Sequence, residues 1–267
     1  MRLGRTFAIA LRHLYLVRGS PARVLPLFVW VAVDMVLWGF ISRYLNTVAS
    51  AGFDFGPLLV GAVLFWDFFA RVMQGVTTAF FEDVWSRNFL NLFATPISIP
   101  EYVAGLVVSS VATSTLGLAV MLLLSGTIFG LHILAYGLGL APFLAVLFVF
   151  GIALGIFASA VVLRLGPASE WLVWPIPALL SPLAGVFYPL STLPRFMQLL
   201  SRLLPPSYVF EGLRKVIAGG AAPGAPLGYG AALAVLYLLA ACGFFVRVHR
   251  HAVRTGLLAR YSAESVS

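Results

Sequence analysis

Charge is scarce in this chain, and lysine is nearly absent. Only 10% of its 267 residues are Asp, Glu, Lys or Arg, while 61% are hydrophobic. A soluble domain carries roughly a quarter charged residues, so this scarcity excludes an ordinary water-facing fold. The one lysine, Lys215, directly follows Arg214. That excludes a P-loop, whose Gly-rich turn must end in a lysine to hold nucleotide phosphates. Any nucleotide that drives this protein therefore sits on another chain. The single cysteine, Cys242, excludes an intramolecular disulfide. The four histidines, His13, His132, His249 and His251, all fall outside the expected hydrocarbon core. With no Cys pair, no His-Glu-x-x-His and no Gly-x-Ser-x-Gly, neither a metal or haem centre nor an intramembrane enzyme has support. His249-x-His251 reads as a solvated basic flank.

What the chain has is long apolar runs, and a mean hydropathy of +1.01 to match. About 20 apolar residues cross a bilayer at 1.5 Å rise each. The runs supply six such spans, giving one all-α polytopic domain over residues 24–247. Before it, residues 1–23 place Leu3, Phe7, Leu14 and Val17 at helical spacing, with Arg5 and Arg12 on another face. This predicts an amphipathic helix at the membrane surface, ended by Gly19-Ser20-Pro21. More than twenty residues precede the first apolar run and no small-residue cleavage motif closes them, so a retained first span is expected. A basic tail occupies residues 248–267.

Span 1 is expected over 24–45, with Asp34 inside, and span 2 over 56–80, with Asp67 and Arg71 inside. Asp67 and Arg71 are four apart on one helix face and can neutralise each other. Because a charge at mid-bilayer is costly, all three should face the protein interior. They read either as a structural ion pair with Asp34 docked beside it, or as part of a translocation path or proton relay. Spans 3 and 4 are expected over 106–129 and 134–163. Gly151-x-x-x-Gly155 in span 4 can let two helices approach closely, though the spacing arises easily by chance. Gly166-Pro167 breaks the chain before span 5, which starts near Trp171 and is punctuated by Pro175, Pro177, Pro182 and Pro189. Broken helices at membrane depth need protein or a water-filled cavity to satisfy their backbone. Two short amphipathic helices, over 194–204 and 207–218, should lie in an interface before span 6 at 227–246.

Of the seventeen basic residues, sixteen are Arg. With both termini in the cytoplasm, eleven basic residues fall inside, five outside and Arg71 within a span, which fits the positive-inside pattern. The excess therefore belongs to the membrane and not to nucleic acid. The same count puts the segment between spans 2 and 3 in the cytoplasm. There, Glu82 and Asp83 should start a short helix, Arg87 and Asn88 should follow on its polar side, and Thr95-Pro96 should end it. Trp85, Phe89, Leu92 and Phe93 supply an apolar side, and Ser98 or Pro100 with Glu101 restarts the chain into span 3.

This segment, through Glu82, Arg87, Leu90, Phe93, Ala94, Thr95, Pro96 and Ser98, resembles that of type-2 ABC transporter permeases, the ABC-2 type export family. A second match is Gly185, Tyr188, Pro189, Leu190, Ser191, Leu193 and Pro194, then Pro205-Pro206-Ser207, Glu211-Gly212-x-Arg214 and Gly219. It is similar to the family's broken fifth span and external helices. The chain departs from the pattern at Val84-Trp85-Ser86, where members often carry Gly. The resemblance implies a permease subunit that pairs with a second permease, a homodimer for preference, with the translocation pathway at their interface. It implies a separate ATP-binding cassette subunit that holds ATP and Mg²⁺; this chain itself binds no cofactor. Glu82, Asp83, Arg87 and Asn88 would contact that ATPase from a coupling helix, with Thr95 and Pro96 setting its angle. Tyr188, Pro189, Arg195, Glu211 and Arg214 would shape an external exit. The implied location is a bacterial inner membrane, with both termini cytoplasmic. Drug, lipid and (lipo)saccharide all remain open as cargo. Trp30, Trp38, Trp66, Phe68 and Phe69 form either a sugar- or lipid-recognising surface or ordinary lipid-facing belts. An ion-coupled transporter or channel using Asp34, Asp67 and Arg71 is the competing class.

Overall fold

In the computed structural model the described residues are 2–48, 55–86, 91–92, 95–130, 139–221 and 223–256. They are helical throughout, with no strand among them. α1 is Leu3–Arg18, α2 Pro21–Val48, α3 Phe55–Trp85, α4 Ile99–Phe129 and α5 Ala141–Leu165. A 3₁₀ turn, Pro167–Leu172, leads into α6 (Ile176–Ala184), then α7 (Arg195–Ser201), α8 (Pro205–Ile217) and α9 (Gly224–Thr255). Four of these, α3, α4, α5 and α9, are long and apolar enough to cross a bilayer. α2, at 28 residues, is about 42 Å long and reaches as far.

The breaks come where local chemistry demands them. Gly19 caps α1 and α2 restarts at Pro21, where a missing N–H costs nothing. Ser98 and Glu101 form a capping box at the start of α4, with Pro100 in its first turn. Gly166, at φ 100°, ends α5 in a conformation open to glycine alone. After it the proline-rich stretch supports only the nine-residue α6, with Pro182 inside it and Gly185 left-handed at its end. At about 1.5 Å per residue such a helix cannot cross the membrane.

α5 is the centre of the packing, flanked by α9 on one side and α3 on the other; α3 in turn packs on α4 and α2. The Gly151-x-x-x-Gly155 stretch makes the α3/α5 contact. A Cβ on Gly155 would stand 2.8 Å from the Met73 carbonyl oxygen, and one on Gly151 would stand 3.1 Å from that of Phe69. Glycine at both positions lets two backbones touch. Trp66, Phe68 and Phe69 are buried in this core, where Phe69 stacks on Phe150 at 5.5 Å and Trp66 meets Phe210 at 6.0 Å. They form neither a lipid belt nor a ligand surface. Trp38 stacks on Phe187 at 4.3 Å, and Trp30 alone of the five is mostly exposed.

Two elements run further than their sequence implies. α9 continues through Thr255 to the left-handed Gly256, so His249 is buried in a helix and not solvated in a tail. α3 runs through Trp85. Glu82 and Asp83 therefore lie in its last turn, not at the start of a separate helix. No breaker separates Phe80, Phe81 and Val84, all buried, from the span before them.

Candidate functional site: the anchored connection between α3 and α4

Carboxylates at a helix C-terminus oppose the helix dipole. Glu82 and Asp83 are held there by groups brought from α1, α2 and α4. Arg23, at the start of α2, places Nε 2.8 Å from Glu82 Oε1. Asp83 is fully buried; it pairs with the Arg12 guanidinium and accepts a 2.8 Å hydrogen bond from the Tyr102 hydroxyl. His13 Nε2 stands 3.6 Å from the same carboxylate. Its two ring nitrogens face the carbonyl oxygens of Ile9, at 2.9 Å, and Ala79, at 2.8 Å. A neutral ring donates to only one of them. Burial pushes the imidazole below its ordinary value, against the pull of the two carbonyls.

The other side of the connection is fastened in the same way. Glu101 accepts from the backbone N–H of Arg2 at 2.7 Å and of Ser98 at 3.0 Å, with Arg5 3.7 Å away. Arg5 also donates to the Pro96 carbonyl. The Thr95 hydroxyl turns back onto the Leu92 carbonyl, and the Ile97 N–H bonds to the Thr95 carbonyl at 2.8 Å, closing a tight turn about Pro96. Helix α1 thus grips both ends of the connecting segment. Its buried face is Thr6, Ile9, Ala10 and His13, pressed on α4 at Gly105, where a Cβ would meet Ile9 at 2.6 Å. Leu3 and Phe7 point outward, as an interfacial helix requires.

Of the residues expected to meet a partner, Glu82 and Asp83 are engaged within the chain. Thr95 and Pro96 form the turn, and Arg87 and Asn88 lie outside the described residues. Trp85, half-exposed, donates from Nε1 to Glu170 at 2.9 Å and leaves one face open. Sequence reasoning missed His13, Tyr102 and Gly105. The one signal for them was the pair Arg5 and Arg12 on a common face, which needed acidic partners somewhere.

Behind this connection lies a cavity of about 600 Å³ between α1, α2, α3 and α4. Asp34, Asp67 and Arg71 line it together, with Gln74, Thr78 and Thr113 between them and the Glu82 end. The three charges lie within electrostatic range of one another. Oδ2 of Asp67 is buried and accepts no hydrogen bond among the described residues. The Arg71 side chain lies across Gly117 of α4, where a Cβ would come within 2.9 Å of its Cδ.

At the opposite end, Glu211 and Arg214 of α8 secure the turn that follows α6. Glu211 Oε1 accepts from the Leu190 N–H at 2.8 Å and from Arg214 at 2.9 Å. Arg214 also donates to the Gly185 carbonyl at 2.7 Å, and Tyr188 donates to that of Pro182 at 2.8 Å. Pro189 precedes the 3₁₀ turn Leu190–Thr192, and Arg195 is exposed at the start of α7.

Residues 20–218 match the family model of ABC-2 type transporters. The chain belongs to the ABC-2 type transporter family. It is accordingly a multi-pass membrane protein and a transport permease, of a family whose membrane subunits associate with an ATP-binding subunit. No curated protein matches the chain.

Proposed function

We propose that this ABC-2 permease is the membrane subunit of an ATP-driven exporter. The Glu82 end faces the cytoplasm, with both termini, and the connection between α3 and α4 is the surface on which a separate ATPase docks. ATP and Mg²⁺ are held by that partner. A second permease subunit, identical for preference, completes the pathway, and the helices α6 to α8 shape its external mouth. The cargo belongs to the drug, lipid or (lipo)saccharide classes, and a bacterial inner membrane is the natural setting.

The observation that carries this reading is the double fastening of the connection to α1. A segment that must transmit a push needs both ends fixed, and Asp83 and Glu101 fix them to one rigid helix. Glu82 and Asp83 then act as positioning residues, leaving Arg87, Asn88 and Trp85 to face the partner.

The test is affinity capture of the tagged permease from native membranes. Wild type should bring down an ATP-binding subunit, and Arg87→Glu should lose it. Glu82→Arg should lose it as well, and the double variant Glu82→Arg/Arg23→Glu should regain it by restoring the internal pair. Wild type that captures no ATPase under mild conditions sinks the reading. It would favour ion-coupled transport through Asp34, Asp67 and Arg71 instead.

A further inference from the structure

We propose that the cavity between α1, α2, α3 and α4 binds an amphiphilic organic monocation, its charge held between Asp34 and Asp67 and its apolar body against Trp30 and Trp174. The cavity is about 600 Å³, inside the range of roughly 300–1,000 Å³ typical of sites for drug-sized molecules.

The sign of the ligand's charge follows from the charges on the wall. Five charged side chains line the cavity: Arg23, Arg71, Asp34, Asp67 and Glu82. Arg23 and Glu82 neutralise each other across 2.8 Å. Two carboxyl groups and one guanidinium are left, an excess of one acidic group. An uncompensated charge within a membrane is costly and demands a partner. The buried Oδ2 of Asp67, with no hydrogen bond from any described residue, is an unmet acceptor that a bound cation would serve.

The same inventory disfavours the alternatives. An anionic headgroup would meet the excess carboxylate. A divalent metal would find no group of three or more ligating side chains among the described residues, and would have Arg71 as a neighbour. The indoles of Trp30, mostly exposed, and Trp174, about half-exposed, line the cavity and offer π faces suited to an aromatic cation.

As a statement about cargo this rests on the permease reading, but binding itself is measured without ATPase or ATP. The full chain is placed in nanodiscs of zwitterionic lipid. Equilibrium dialysis then compares tetraphenylphosphonium with tetraphenylborate, two probes of one shape and opposite charge, after subtracting uptake by protein-free discs. Saturable binding of the cation at one per chain is expected, with no saturable binding of the anion. Asp67→Asn and Asp34→Asn should each weaken the cation by at least about tenfold. Thr113→Phe, which fills the cavity and leaves the charges in place, should abolish binding; it keeps the test alive if a carboxylate variant fails to fold. Saturable anion binding, absence of saturable cation binding, or folded carboxylate variants within about twofold of wild type would each overturn the proposal. None of these results bears on ATPase capture through Arg87, so the two readings fail separately.

Discussion

Asp83 has no exposed surface and serves three groups at once: Arg12, His13 and Tyr102. Replacing it with alanine strands a guanidinium and a hydroxyl beside α3. The expected cost to α1 docking is about 3 kcal/mol, since breaking one side of a buried pair leaves the other uncompensated. Chymotrypsin cleavage at Phe7 or Tyr15 should then be much faster than in wild type, and unchanged cleavage would mean that α1 is held by apolar contacts alone. His13 makes the same contact sensitive to pH. Its value in the docked state lies below the ordinary one because of burial, so docking favours the neutral ring. The stabilisation is complete above the ordinary histidine value, near pH 6.5, and is lost as pH falls through the docked value. Cleavage of α1 should therefore accelerate on acidification below about pH 6.5, and His13→Gln should flatten that response. Slower cleavage in acid would show instead that a charged ring donates to Ile9 and Ala79 together.

Helix contacts differ in how much insult they can absorb. Gly155→Leu must separate α3 from α5, because the obstacle is the Met73 backbone. Overpacking of this kind costs about 1–3 kcal/mol and should appear as a lower Tm of the purified protein. Gly117→Ala should be milder, since it meets the flexible Arg71 side chain; an equal loss would argue that Arg71 is rigidly held. Much of this layer was legible in the chain. The stop at Gly19-Ser20-Pro21, the restart at Ser98, the break at Gly166-Pro167 and the short helices around α7 and α8 all follow from caps and prolines acting within a few residues. The end of α3 did not. Apolar residues continue past Phe80, and the partners that let Glu82 and Asp83 sit at a helix C-terminus, Arg12, Arg23 and Tyr102, all come from other elements. The surroundings of Arg71 were equally hidden: four-residue spacing puts it on the face of Asp67, but only the fold shows that Gly117 on α4 leaves room for its side chain.

For the molecule as a whole, the outward face of α2 is apolar from Val33 through Leu37 and Phe40 to Tyr44, all exposed. This face borders the cavity at Asp34, so a second permease meeting α2 would put the cavity beside the shared pathway. A Leu37→Cys variant, with Cys242→Ser to remove the native thiol, should cross-link to a second copy in native membranes. Leu236→Cys, on the exposed side of α9, should stay monomeric. The reverse outcome would move the subunit contact to α9.

The grip of α1 on the connection between α3 and α4 has a bearing on how the protein is made. Arg12 leaves the ribosome 71 residues before Asp83. At about 5–20 residues per second the wait is on the order of ten seconds. During that interval α1 has neither of its two acidic partners, Asp83 and Glu101, and two spans must be inserted before the first arrives. A newly made N-terminal helix therefore rests on the lipid surface by Leu3, Phe7 and its arginines, and docks only when Glu101 emerges. Completion of this connection is thereby postponed until the first two membrane helices are in place, so the surface proposed for the ATPase would not form on a half-built permease.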